Sequence, residues 1–70
     1  MELSVEQQID GLKNVAMSST DPDARRKIVD ALAGYGDKAI PAISEIISDA
    51  LSKEIREYGL GVIKKIKEKQ

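Results

Sequence analysis

The chain states one pattern twice. DPDARRKIVDAL, Asp21 to Leu32, is echoed 31 residues later by SKEIREYGLGVI, Ser52 to Ile63. Arg25 answers Arg56, Asp23 answers Glu54, Ala31 answers Val62, and Leu32 answers Ile63. The echo extends upstream, where Ile9 meets Ile40, Leu12 meets Ile43, Val15 meets Ile46 and Ala16 meets Ile47. A unit of this length built from helix pairs cannot bury its apolar face alone, so neighbouring units must stack. A chain of 70 residues holds two such units and makes one domain.

Local signals divide the chain into four helices. Ser4 and Gln7 have capping-box spacing. Val5, Ile9, Leu12 and Ala16 then recur at helical intervals with Val15 beside them, so a first helix is expected over about 5–18. Asp21-Pro22 opens a second, about 22–34, because Asp accepts from free amides and Pro loses no bond at the first helical position. Its predicted stripe is Ala24, Ile28, Ala31, Leu32 and Tyr35, and Gly34 or Gly36 supplies the left-handed residue that ends it. Asp37 is the expected cap of a third helix, about 38–51, with Pro41 in its first turn. Ile40, Ile43, Ile46, Ile47, Ala50 and Leu51 form its broad apolar face. A fourth helix over about 53–67 carries Ile55, Gly59, Val62, Ile63 and Ile66, flanked by Tyr58. Gly59 lies inside that stripe, which points to close approach of a neighbouring helix. A break at Gly59-Leu60-Gly61 is the alternative. No segment alternates with period two, so no strand is expected.

These residues resemble the HEAT-like repeat family in its short form, related to the phycobilisome-lyase repeats. The resemblance rests on Asp21, Pro22, Arg25, Ile28, Ala31 and Leu32, then on Gly34, Ala39-Ile40-Pro41 and Ile43. The second copy departs from the pattern: Ser52 and Lys53 replace Asp-Pro, and Gly59 takes the third position after Arg56. The resemblance implies an all-α fold of four helices in two stacked antiparallel pairs, a fragment of a right-handed α-solenoid that begins half-way through a repeat. It also implies an interaction module that meets macromolecules along a concave face. In the family the Arg at the position of Arg25 and Arg56 is commonly structural.

Composition narrows the chemistry. The chain has no Cys and no His, which removes disulfides, thiol nucleophiles, imidazole catalysis and the commonest zinc ligands. Ser18-Ser19-Thr20 has no base to activate a hydroxyl and reads as a turn. The pairs Asp21/Asp23 and Glu54/Glu57 sit at helix starts, where carboxylates meet the amide dipoles. No calcium-loop spacing appears, and Gly59-Leu60-Gly61 lacks the preceding strand of a nucleotide motif. The expectation is therefore a non-enzyme without metal or cofactor. No apolar run approaches the roughly 20 residues that span a bilayer. MELSVEQQ is too polar for a signal peptide, so a cytoplasmic, membrane-free protein is expected, and the lack of Cys fits that compartment. Eleven basic and twelve acidic residues leave a net charge of −1, with no global pull toward nucleic acid.

The helix faces carry the remaining signals. Glu6, Asp10, Asn14, Glu45, Ser48 and Asp49 form a mildly acidic face on the first and third helices, flanked by Lys13, and this is the expected concave partner-binding side. The outward faces of the second and fourth helices are expected to carry Arg25, Arg26, Lys53, Arg56, Lys64 and Lys67, diluted by Asp30 and Glu57. Val29 and Leu60, at equivalent repeat positions among these charges, form a candidate contact patch. The Lys64–Lys69 run either touches phosphates or offsets the helix dipole. Asp21, Arg25, Arg56 and Gly59 are expected to be structural, with both arginines tying turns to carboxylates. The expected function is a protein-interaction or scaffold module for an unspecified protein partner. The alternative is a nucleic-acid-associated protein that uses the basic outer face. A homodimer is expected because two repeats have nearly as much end as interior.

Overall fold

Helix starts follow from short-range hydrogen bonds. In the computed structural model, which describes residues 3–50 and 52–69, Ser4 and Gln7 close a full capping box. The Ser4 hydroxyl accepts from the Gln7 amide at 3.1 Å, and the Gln7 side chain accepts from the Ser4 amide at 3.0 Å. Helix α1 (Val5–Ser18) begins there. The Asp21 carboxylate accepts from the Asp23 amide at 3.0 Å, Pro22 takes the first helical position, and α2 (Pro22–Ala33) follows. Gly36 supplies the left-handed residue, with φ of 74°, whereas Gly34 stays right-handed.

The third helix starts later than its sequence signals suggest. A 3₁₀ turn, Gly36–Ala39, runs directly into α3 (Ile40–Asp49). The Ile40 amide bonds the Asp37 carbonyl, so this turn takes up the start of α3 and Asp37 caps nothing with its side chain. Leu51, assigned to the apolar face and end of the third helix, lies outside the described residues. Helix α4 (Lys53–Glu68) runs unbroken through Gly59 and Gly61.

All regular structure among the described residues is helical. Helix α1 packs on α2 and α3, α4 packs on the same two, and α2 touches α3 across the middle. Each helix of the first pair thus meets its repeat counterpart in the second, α1 against α3 and α2 against α4. Ile43 and Ile46 of α3 are fully buried, as are Val29 and Leu32 of α2. Each such side chain contributes about 1.5–3 kcal/mol through burial. Ile55, Gly59, Ile63 and Ile66 line the buried face of α4.

The stripe of α2 is rotated from its sequence assignment. Val29, read as an outward residue, is 0% exposed, and Ala31, read as core, is exposed. The reason is position. Helix α2 touches α1, α3 and α4, so its buried arc centres on Val29 and Leu32, with half-buried Arg25 one turn before Val29. Ala24, Ile28 and Tyr35 are left half-buried at the edge of that arc. On α1, Val15 is 58% exposed although its repeat counterpart Ile46 is fully buried, because α1 lies at one end of the stack.

Gly59 marks the closest approach between α3 and α4. A β-carbon there would fall inside the Cγ2 methyl of Ile47, which is stiff because it branches at Cβ. Gly61, two residues on, has open space where its β-carbon would stand. Gly59→Ala therefore loses about 1–3 kcal/mol to overpacking, more than the roughly 1 kcal/mol of helix propensity it gains. Gly61→Ala keeps the propensity gain. Thermal denaturation of the two variants is expected to move in opposite directions, Gly59→Ala down and Gly61→Ala up. A rise in both would show that α3 and α4 separate without cost.

Candidate functional site

Arg25 is the most connected charged group. Its Nε donates to the Ser19 carbonyl at 2.9 Å, and its Nη2 donates to the Met17 carbonyl and the Asp49 carboxylate, both at 3.3 Å. The side chain is 12% exposed. It satisfies carbonyls that the end of α1 leaves without helical partners, and it binds the end of α3 through Asp49. The expectation that Arg25 lies on an outward basic face is corrected: the phase of α2 that buries Val29 also turns Arg25 inward. Arg56, its repeat counterpart, is exposed and has no side-chain partner among the described residues. The carboxylate expected to tie Arg56 to a turn is not present among the described residues.

The acidic face of α1 and α3 is largely committed to internal pairing. Lys13 bridges the two helices, 3.0 Å from Glu45 and 3.2 Å from Asp10. Hydrogen bonds to Glu45 and then to Asp10 hold its ammonium above the ordinary lysine range. Asn14 donates to Asp10 at 3.3 Å, and Asp49 is taken by Arg25. Of the six residues expected on this face, Glu6 and Ser48 have no side-chain partner among the described residues. The recess between the helices is shallow, about 200 Å³, and is lined by Glu6, Ile9, Lys13 and Ala42 among others.

The basic side is split. Leu60 stands 58% exposed on α4, beside Lys64 and Lys67. Val29 is buried, so the two equivalent positions do not form one patch. Arg26 lies 3.5 Å from Asp23, and Lys53 lies 3.8 Å from Glu57. Of the outward basic groups expected on α2 and α4, Arg56, Lys64 and Lys67 have no such partner among the described residues.

A larger recess lies elsewhere. A groove of about 670 Å³ runs between α2 and α4. Ala33, Tyr58, Val62 and Ile66 give it an apolar floor, Asp37 and Glu57 an acidic rim, and Lys65 and Lys69 a basic end. The Tyr58 hydroxyl donates to the Asp30 carboxylate, closing one wall, and the Arg26 guanidinium lies 5.8 Å from the Tyr58 ring centroid. The hydrogen bond to Asp30, followed by burial, raises the Tyr58 pKa above that of an ordinary tyrosine. The sequence reading missed this groove. Its signal was Gly61 between Glu57 and Lys65, a gap one turn from each on the same flank of α4.

The turn hydroxyls are occupied locally. Ser18 donates to the Val15 carbonyl and Ser19 accepts from the Asp21 amide. Among the described residues no cluster of carboxylates is arranged to hold a metal ion, and no helix is long and apolar enough to cross a membrane. Compared with protein-family models, curated proteins and solved structures, the chain matches none.

The two repeated arginines are thus expected to differ. Arg25→Ala leaves α1 carbonyls and Asp49 without their charged donor, a loss of about 1.5–3 kcal/mol. Arg56→Ala should stay within about 0.5 kcal/mol of the parent. Chemical denaturation of both variants checks this. Equal losses would show that Arg56 also braces a turn.

Proposed function

We propose that the chain is a small non-enzymatic protein-interaction module of the HEAT-like repeat type, acting in the cytoplasm. Its binding site is the groove between α2 and α4. The packing of α1 on α3 and of α2 on α4 supports the repeat reading, since it stacks each helix on its counterpart 31 residues away. The observation that carries the binding reading is the groove itself: an apolar floor about 670 Å³ in volume with charges of both signs around it. That volume suits the insertion of partner side chains. The partner is a protein segment with apolar anchors over Val62 and Ile66. Its basic residues meet Asp37 and Glu57, and an acidic end meets Lys65 and Lys69.

The acidic α1/α3 face is the weaker site, because most of its charges already serve Lys13 and Arg25. Nucleic-acid binding would rest on Arg56, Lys64, Lys67 and neighbouring lysines of α4, without aromatic platforms beside them and with a net charge of −1.

Two variants test the groove. Glu57→Lys reverses the rim, and Gly61→Arg fills the flank, both at exposed positions. Affinity capture from native extract with the parent chain is expected to retain a protein that both variants lose, with helicity unchanged. Retention of that protein by both variants contradicts the groove. Capture of nucleic acid, falling steeply as salt rises and lost in Lys64→Glu, favours the basic face of α4 instead.

A further inference from the structure

Helix α4 gathers cations on one side. Lys53, Arg56, Leu60, Lys64 and Lys67 fall within an arc of about 80° at ordinary helical rotation. All five are exposed, and Leu60, 58% exposed, stands at the middle of the run. The arc is about 21 Å long and roughly 8 Å wide for a helix of ordinary rise and diameter. No carboxylate of α4 lies within it. Glu54, Glu57 and Glu68 form a ridge on the side toward the α2/α4 groove, where Lys53 reaches Glu57 at 3.8 Å. On the other side Ile63 turns into the core. Lys53, Arg56, Leu60, Ile63 and Lys67 alternate steps of three and four residues. That spacing is the seam along which one α-helix lies on another, and Lys64 flanks it.

The repeat shows what chemistry covers this register. Thirty-one residues earlier the arc reads Pro22, Arg25, Val29, Ala33 and Gly36. There the central Val29 is fully enclosed, and Arg25 meets Asp49 of α3, the helix that follows α2. A neighbouring helix thus brings the carboxylate to the arginine while the apolar centre is sealed. On α4 the same register keeps both features as Arg56 and Leu60. It replaces Pro22, Ala33 and Gly36 with Lys53, Lys64 and Lys67. A helix that covers α4 in the same way must bring more carboxylates than the one α3 supplies to Arg25.

We infer that this face of α4 is a second docking surface, and that its occupant is an acidic amphipathic α-helix of a partner protein. That helix seats an apolar side chain on Leu60 and sets carboxylates against Arg56, Lys64 and Lys67. Broader polyanions fit less well. A phospholipid surface or a nucleic-acid duplex laid on so narrow an arc also meets Glu57 and Glu68 beside it, and like charges repel. Phosphates offer Leu60 no apolar contact, and one leucine is too little apolar surface to hold a helix among acyl chains. A single helix, about 10 Å across, lies along the seam clear of the ridge. None of the arc residues lines the α2/α4 groove, so the inference does not rest on that site and leaves it open.

A synthetic helical peptide tests the inference. It is alanine- and glutamine-based, with leucine at its centre and glutamates one and two turns to either side on the same face. Fluorescence anisotropy at low salt should show it bound by the parent chain, with affinity falling as salt rises. Arg56→Glu, Lys64→Glu and Leu60→Asp, all at exposed positions, should each weaken it about tenfold with helicity unchanged. Lys27→Glu makes the same charge change at an exposed position of α2, outside both sites, and should stay within about twofold of the parent. The double variant Arg56→Glu/Lys64→Glu should instead take up the peptide in which lysines replace the glutamates. Equal losses in Lys64→Glu and Lys27→Glu overturn the inference, because the attraction would then be general charge. So does failure of the parent to bind the acidic peptide, or tighter binding of duplex DNA or of phosphatidylserine vesicles than of the peptide.

Discussion

The structure depends on α3, a ten-residue helix that every other helix touches. Ile43 and Ile46 are completely enclosed, and Ala42, Ile47 and Ala50 are buried around them. A chain this short has little else to hold it, because no disulfide can form and small cores leave only a few kcal/mol after ordering entropy is met. The rest of the architecture follows from reaching α3. Gly59 lets α4 come close enough to seat against Ile47 and Ile43. Lys13 ties α1 to α3 through Glu45, and Arg25 joins α2, the end of α1 and the end of α3 in one set of hydrogen bonds.

The same dependence explains why two copies of one pattern end in different surroundings. Interior helices have neighbours on several sides, and end helices do not. Val29 is enclosed while Leu60 is open, and Ile46 is enclosed while Val15 is open. Arg25 finds carbonyls and a carboxylate, whereas Arg56 faces outward. The repeat therefore produces a molecule with two unlike ends and two unlike sides. One end is basic and the other apolar. One side is sealed by ion pairs between α1 and α3, and the other is opened by the groove between α2 and α4.

Much of this was legible in the residues. Four of the five positions expected in the stripe of α4 are buried, because that helix is buried on one side and its apolar period has a single phase, and Val62 is left half-buried at the groove. The starts of α1 and α2 were legible because Ser4, Gln7, Asp21 and Pro22 act through contacts a few residues long. The phase of α2 was not, since a helix with neighbours on three sides has two plausible stripes. The choice between Val29 and Ala31 depends on where α4 and α1 lie. The structural role expected of Arg25 is met through Asp49, but its outward placement is not, because two of its three acceptors are backbone carbonyls, which leave no mark in a sequence. Asp37 has the right chemistry for a cap, but a preceding 3₁₀ turn supplies the bonds first. The groove left only the gap at Gly61 as a mark on α4, because it belongs to the space between two helices rather than to either one.

Native-state hydrogen exchange tests the central role of α3 most directly. If the fold is one cooperative unit built round this helix, the amides of Ile46 and Ile47 exchange only through global unfolding. Their opening free energy then equals the stability measured by denaturant, and amides near the ends of α1 and α4 exchange through smaller openings. Exchange of Ile46 and Ile47 at a lower free energy than the centres of α1 or α4 would contradict the account, because α3 would then be able to detach while the other helices stayed folded.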